Sequence, residues 1–273
     1  MEREITEKEF LEHYKTQVYE KISVTTDLLI FSVSDSPQDN YRKLSDKSFS
    51  IYLLKRDEHP FKDKWSLPGG FVDPKTESLE DCAERVLQKK TGLKKLYMEQ
   101  LYTFGNLNRD PRTRIISTAY MSLIDKNRLS DDISTSDNWF NITVKDDKKF
   151  TLTNMNDEKL KFSFSVPKHG NVFQPNIQPE IESNDIAFDH ALIIAAGVLR
   201  LKNKIEYTDL VFHLLPDSFT LTELQNAYEA ILGKKLLAPA FRRMIASDVE
   251  KTGEVRQGAG HRPSALFRRI KRK

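Results

Sequence analysis

Trp65-Ser66-Leu67-Pro68-Gly69-Gly70-Phe71-Val72 opens the stretch that decides how the first half of the chain folds, and Glu77-Ser78-Leu79-Glu80, Arg85 and Thr91-Gly92-Leu93 complete it. Beyond the glycine pair, Leu79, Ala83, Val86 and Leu87 recur on one side of a helical pattern, which predicts a helix from Glu77 to Thr91. Gly92 stands where a helix end needs positive φ. Working outward, runs of β-branched and aromatic residues predict strands at 22–33 and 48–56, separated by a polar loop, and further strands at 97–104 and 114–124.

With strands on both sides of it, the stretch resembles the Nudix box, G-x5-E-x7-R-E-U-x-E-E-x-G-U with U aliphatic, and the likeness extends over about residues 20–140. The resemblance implies an α+β fold, a Nudix-type mixed-sheet α/β/α sandwich. It also implies a helix face of carboxylates holding the magnesium that cleaves a nucleoside diphosphate linked to another group. Aligned on Arg85 and Gly92, the three metal positions are Val86, Lys89 and Lys90, and one extra residue lies between Gly70 and Glu77. A hard, oxygen-ligated magnesium cannot be assembled from one valine and two ammonium groups. Glu84 points well away from that face, because a helix turns 100° per residue.

The expectation is therefore a Nudix scaffold without hydrolysis, metal site or required cofactor, in which Glu77 and Arg85 hold the loop on the helix. Lys89 and Lys90 read either as a solvated helix face or as direct contacts to a ligand's diphosphate. The alternative is a Nudix hydrolase of nucleoside diphosphate derivatives that draws on Glu77, Glu80 and Glu84 and needs magnesium.

A second signature narrows the family. Glu99-Gln100-Leu101-Tyr102-Thr103-Phe104-Gly105, then Asn108-Arg109-Asp110-Pro111-Arg112-Thr113-Arg114-Ile115-Ile116-Ser117, resembles the Nudix-related transcriptional regulators, which join a Nudix-like sensor to a winged helix. Arg109, Arg112 and Arg114 offer three guanidinium groups suited to phosphate oxygens, or to ion pairs with Asp110 and its neighbours. With Gly69, Gly70, Arg85, Lys89 and Lys90 they make up the candidate ligand-binding set. In those regulators Trp139-Phe140 leads into a segment like Ile186-Ala187-Phe188-Asp189-His190, but here an insert at about 141–185 intervenes. Its alternating runs, Phe150-Thr151-Leu152 and Leu160-Lys161-Phe162-Ser163-Phe164, read as a hairpin decorating a sensor domain at 1–185, the other reading being a partly disordered linker. Residues 186–203 read as a connector helix.

The remainder, 204–273, has the layout of a winged helix. Tyr207–Leu215 reads as a helix stopped by Pro216. Thr220 and Glu223 form a capping box for a helix ending at Gly233, with Leu221, Leu224, Tyr228 and Ile231 inward. Another helix begins near Pro239 with Phe241, Met244, Ile245 and Val249 on one face and Arg242, Arg243 and Ser247 on the other, and a glycine-tipped basic hairpin follows. Tyr207–Pro216 and Phe219–Gln225 again resemble the same regulators. The helix carrying Arg242, Arg243 and Ser247 is expected in a major groove, and the wing with Arg256, His261 and Arg262 along the backbone. Arg268, Arg269 and the basic tail add phosphate attraction. A protein-interaction module is the other reading.

Charge supports the first. Residues 200–273 hold 15 Lys and Arg against 8 Asp and Glu, a surplus of seven, while the 28 basic and 32 acidic residues before them leave −4. With one cysteine an intrachain disulfide is excluded, the six histidines lack zinc-ligand spacing, and no stretch is long and apolar enough to span a membrane. The default is then a cytoplasmic protein, and the resemblance to the Nudix-related regulators implies a ligand-responsive repressor. It would be a homodimer on double-stranded operator DNA, and the family resemblance implies ADP-ribose or a related nucleotide or sugar as effector. A structural adaptor, the third reading, would bind neither.

Overall fold

The computed structural model describes residues 21–35, 46–164, 180–182, 185–256 and 263–270. Its spine is β1 (Ser23–Asp35), buried from Thr26 to Val33. The run Leu28-Leu29-Ile30-Phe31 is apolar at every position because both faces are covered. Leu28 and Ile30 enter one core, and Leu29, Phe31 and Val33 enter the other.

After β1 come β2 (Lys47–Tyr52), the short strands β3 (Leu54–Lys55), β4 (Trp65–Ser66) and β5 (Gly69–Phe71), helix α1 (Leu79–Thr91), β6 (Tyr97–Phe104) and β7 (Ile115–Asp125). β7 runs parallel to β1 from Ser23–Ile115 to Val33–Asp125, while β2 and β5 pair with β1 antiparallel along its two halves. Helix α1 covers Leu28, Ile30, Tyr120 and Ile124 with Cys82, Ala83, Val86 and Leu87. It begins two residues later than expected, at Leu79, because Ser78 and Asp81 form a reciprocal capping box, and it ends at Gly92 with φ 71°.

The insert joins the sheet. β8 (Trp139–Lys145), β9 (Lys149–Thr153), β10 (Lys159–Ser163) and β11 (Glu180–Ile181) extend it in the order β11-β10-β9-β8-β2-β1-β7-β6. The expected hairpin pairs Phe150 with Phe162 and Leu152 with Leu160, and its alternation puts all four on one buried face. That burial accounts for order where a linker was the other reading.

The connector, α2 (His190–Ile205), starts four residues later than its apolar pattern suggests. Ile186 instead bridges Trp65, the Ala187 N–H donates to the Trp65 carbonyl, and Phe188 takes φ 53°. The apolar residues 186 and 187 complete the sheet edge rather than a helix. Helix α2 lies close against β1, where a Cβ on Gly197 would come within 2.5 Å of Leu29 Cδ2.

The expected helix at 207–215 is a five-residue 3-10 turn, Leu210–Leu214. Pro216 forces Leu215 into extended backbone, leaving too few residues for an α-helical ladder. Helix α3 (Leu221–Leu232) has the Thr220–Glu223 capping box and a left-handed Gly233, as its sequence indicates, although Leu221 itself is only half-buried. α4 (Ala238–Ile245) buries Phe241 and Ile245 but leaves Met244 exposed, a departure from the expected inward face. β12 (Val249–Arg256) and β13 (Ser264–Arg269) form the wing hairpin. One apolar core runs without a break from the sheet through α2 into Leu210, Leu214, Phe219, Leu224 and Phe241. No helix among the described residues is long and apolar enough to cross a membrane.

Candidate functional site

The loop between β5 and α1 is held by Arg85, which pairs with both carboxylate oxygens of Glu77 and donates to the Phe71 carbonyl at 3.0 Å. Hydrogen bonds from Arg85, then from the Asp73 N–H, pull the Glu77 pKa down from 4.5 to about 2. An acid with a lowered folded-state pKa contributes stability that is complete above its unfolded value and fades as pH falls through the folded one. The stability gap between the wild type and Glu77→Gln is therefore expected to close between about pH 4.5 and 2. Denaturant titrations across that window test this, and a gap that stays constant would mean that the pair does not hold the loop.

Behind the loop is a cleft of about 180 Å³ lined by β1, the glycine pair and the 109–112 loop. Gly69 sits directly over Asp27, where a Cβ would be 2.6 Å from the carboxylate and 2.8 Å from the Thr26 carbonyl, so a side chain has no room. Arg109 forms the floor and is almost fully buried. It forks onto Asp189 at 3.0 and 2.8 Å and reaches Asp27 at 3.2 Å. Burial disfavours its charge, but Asp189 and Asp27 more than offset this and hold its pKa above the usual guanidinium value. Ser117 donates to Asp27 at 2.6 Å. His190 is buried, which lowers its pKa; its Nδ1 accepts the Leu67 N–H at 2.9 Å, leaving the proton on Nε2, 3.7 Å from Asp27.

The mouth is cationic and aromatic. Arg56 lies 4.9 Å from the Phe188 ring centre, and Arg112 lies 5.8 Å from Phe188 and 5.6 Å from the half-exposed Phe71. Burial, followed by the charge of Arg112, pushes the Arg56 pKa down. Two guanidinium groups that raise each other's energy form a place where an anion relieves repulsion. Arg112 also forks onto Asp110 at 3.0 and 2.8 Å.

Of the ligand candidates named from sequence, Gly69, Gly70, Arg109 and Arg112 thus share the cleft, with Arg85 beside Gly70. Arg114 instead closes its own loop by donating to the Asn106 carbonyl at 2.9 Å. Lys89 and Lys90, in the last turn of α1, are not among the residues that line the cleft. The sequence reading missed Asp27, Arg56, Phe71, Phe188, Asp189 and His190. Asp27 carried a signal, since it is the sole charge within the predicted strand 22–33 and a buried charge needs a partner.

In the second half, Arg242, Arg243 and Ser247 are exposed on or just beyond α4. Arg256 pairs with Glu223, Arg268 with Glu250, and Arg269 with Asp209, so these three candidates are engaged within the winged helix. His261 and Arg262 lie outside the described residues.

Family models match both halves: the NUDIX domain over residues 43–172 and the NrtR DNA-binding winged helix domain over 211–269. The chain is 34% identical over 265 residues, 96% of its own length and 88% of the relative's, to a protein of Acinetobacter baylyi named ADPR responsive transcriptional repressor NtrR. The chain belongs to the NrtR family. Among solved structures, this NrtR-family chain is similar to a MutT/nudix family protein from Enterococcus faecalis. That similarity has a TM-score of 0.72 and 26% identity, covering 98% of this chain and 95% of the other. It is also similar to Shewanella oneidensis NrtR complexed with a 27mer DNA, with a TM-score of 0.64 and 28% identity, covering 90% and 93%.

The Nudix box of an NrtR-family protein raises the question of magnesium, and the donors here do not fit it. Val86 is buried in the core beneath Gly70, whose added Cβ would meet its Cγ2 at 3.0 Å. Lys89 and Lys90 bring positive charge. Nor does the fallback set converge: Glu77 is bound to Arg85, Glu80 accepts the Tyr120 hydroxyl, and Glu84 lines a groove with Leu93, Leu96 and Met98. No group of three His, Cys, Asp or Glu among the described residues could hold a metal ion.

Proposed function

We propose that this NrtR-family protein is a cytoplasmic transcriptional repressor, dimeric on its operator, that binds ADP-ribose or a closely related nucleotide without a metal and without hydrolysing it. The observation that carries the reading is the arginine-lined cleft beside a Nudix helix that lacks magnesium donors, on a chain that also holds a winged helix. The name of the Acinetobacter relative supports ADP-ribose as the effector. A diphosphate suits the guanidinium groups of Arg56 and Arg112, and Phe71 and Phe188 offer faces for a flat base.

Calorimetry with ADP-ribose in excess EDTA and in excess magnesium tests this, and equal affinities are expected. Arg112→Ala should weaken binding at least tenfold, about 1.4 kcal/mol, and Lys89→Glu should leave it unchanged. The converse pattern would move the ligand to α1. Metal-dependent turnover of ADP-ribose that vanishes in Glu84→Gln would replace this reading with a hydrolase.

A further inference from the structure

The charges at the cleft floor are already spent on one another. Arg109 pairs with Asp27 and Asp189 and Arg112 with Asp110, while Arg56 donates to the Pro60 and Glu58 carbonyls. An anionic effector that reaches past Arg56 to the cleft floor therefore rearranges an ion pair. Arg112 is exposed and releases a partner cheaply; Arg109 is different, because its two carboxylates belong to separate elements, Asp27 to β1 and Asp189 to the start of α2. Asp189 is the residue preceding α2, the position where an aspartate normally accepts N–H bonds from the first turn, yet its side chain makes no such bond. Both of its oxygens accept from Arg109 instead. Asp189 thus has two alternative employments, one holding α2 to the cleft floor and one capping α2 free of it.

What lies beyond gives that choice a readout. α2 is 16 residues, about 24 Å, of packed helix. Near its far end Lys204 pairs with Glu99 of β6 at 2.6 Å, and the chain passes directly into the winged helix, where His213 stacks on Tyr97 at 4.5 Å.

We propose that the Arg109–Asp189 pair is the latch between effector site and DNA reader. Without effector, Arg109 clamps the start of α2 to Asp27 of the sensor sheet. An anion in the cleft draws Arg109 off Asp189, which then caps α2, and the helix end moves independently of the cleft floor. The effector's identity in this account rests on the reading above; the latch itself does not. Coupling of this kind needs an element with two discrete arrangements that both sites bias, and Asp189 supplies it.

The test uses the full chain and a duplex that the wild-type protein selects from a random-sequence pool. Asp189→Asn keeps a good capping group and loses the ion pair, so it should sit in the released arrangement. Its DNA affinity without any ligand is expected to differ from wild type at least fivefold, towards the wild-type value with ADP-ribose. Adding ADP-ribose should then change it less than twofold. Arg109→Lys, which holds one carboxylate but cannot fork across both, should move in the same direction. Asp147→Asn, which removes the exposed pair with Lys202 on the same helix, should match wild type. If Asp189→Asn and Arg109→Lys both bind DNA like Asp147→Asn, the latch is overturned even where ADP-ribose binds. If wild type ignores ADP-ribose, the effector reading falls while the ligand-free comparison still decides the latch.

Discussion

Replacing Arg109 with alanine is expected to cost about 3–5 kcal/mol of stability, the usual consequence of stripping one member from a buried ion pair. Asp27 and Asp189 would be left facing each other with little solvent access, their side chains only 9% and 17% exposed. At roughly 2–4 °C per kcal/mol for a chain of this size, the melting temperature should fall by on the order of 10 °C. Arg268→Ala makes the comparison. Its pair with Glu250 is open to water on both sides, and exposed pairs are worth about 0–1 kcal/mol. Chemical denaturation of both variants measures the difference. Equal small losses would mean that the Asp27–Asp189 site tolerates its own charge, and the cleft floor would no longer count as a structural keystone.

Arg242→Glu combined with Arg243→Glu is expected to weaken DNA binding by at least about 30-fold near physiological salt. Each phosphate contact releases about 0.9 of a counterion, so losing two contacts alone accounts for that factor before any repulsion is added. The slope of log affinity against log salt should shallow by about 1.8. Both arginines are exposed on α4 and outside the core, so the fold and the affinity for ADP-ribose should be preserved. Anisotropy titrations across a salt series give both quantities. A wild-type slope in the double variant would put the phosphate contacts elsewhere, most simply on Arg256, Arg268 and Arg269 once DNA displaces their present carboxylate partners.

Local signals carried the sequence reading far. The Thr220–Glu223 capping box, Gly92 and Gly233, and the alternation at Phe150–Leu152 and Leu160–Phe164 are each set by residues a few positions apart, and each stands in the structure where the sequence puts it. The cleft floor was beyond such reasoning. Arg109 meets partners 82 and 80 residues away, and His190 receives the Leu67 N–H across 123. Nothing near Arg109 in the chain distinguishes a guanidinium bound for a buried pair from one free to meet phosphate. Neighbourhood also misled at 186–189. Ile186 and Phe188 match a helical stripe, yet the sheet edge at Trp65 claims the backbone first.

The unbroken apolar core that joins sheet, connector and winged helix also bears on how such a protein can change. Leu210, Leu214, Phe219, Leu224 and Phe241 are committed to that shared interior, so variation at those sites would be felt by both halves at once. Arg242, Arg243 and Ser247 belong to no part of it. Substitutions on such surfaces usually alter stability by less than about 0.5 kcal/mol. If Arg242, Arg243 and Ser247 carry the choice of DNA sequence, that choice can change without loosening the molecule, whereas a change in the shared interior reaches both halves.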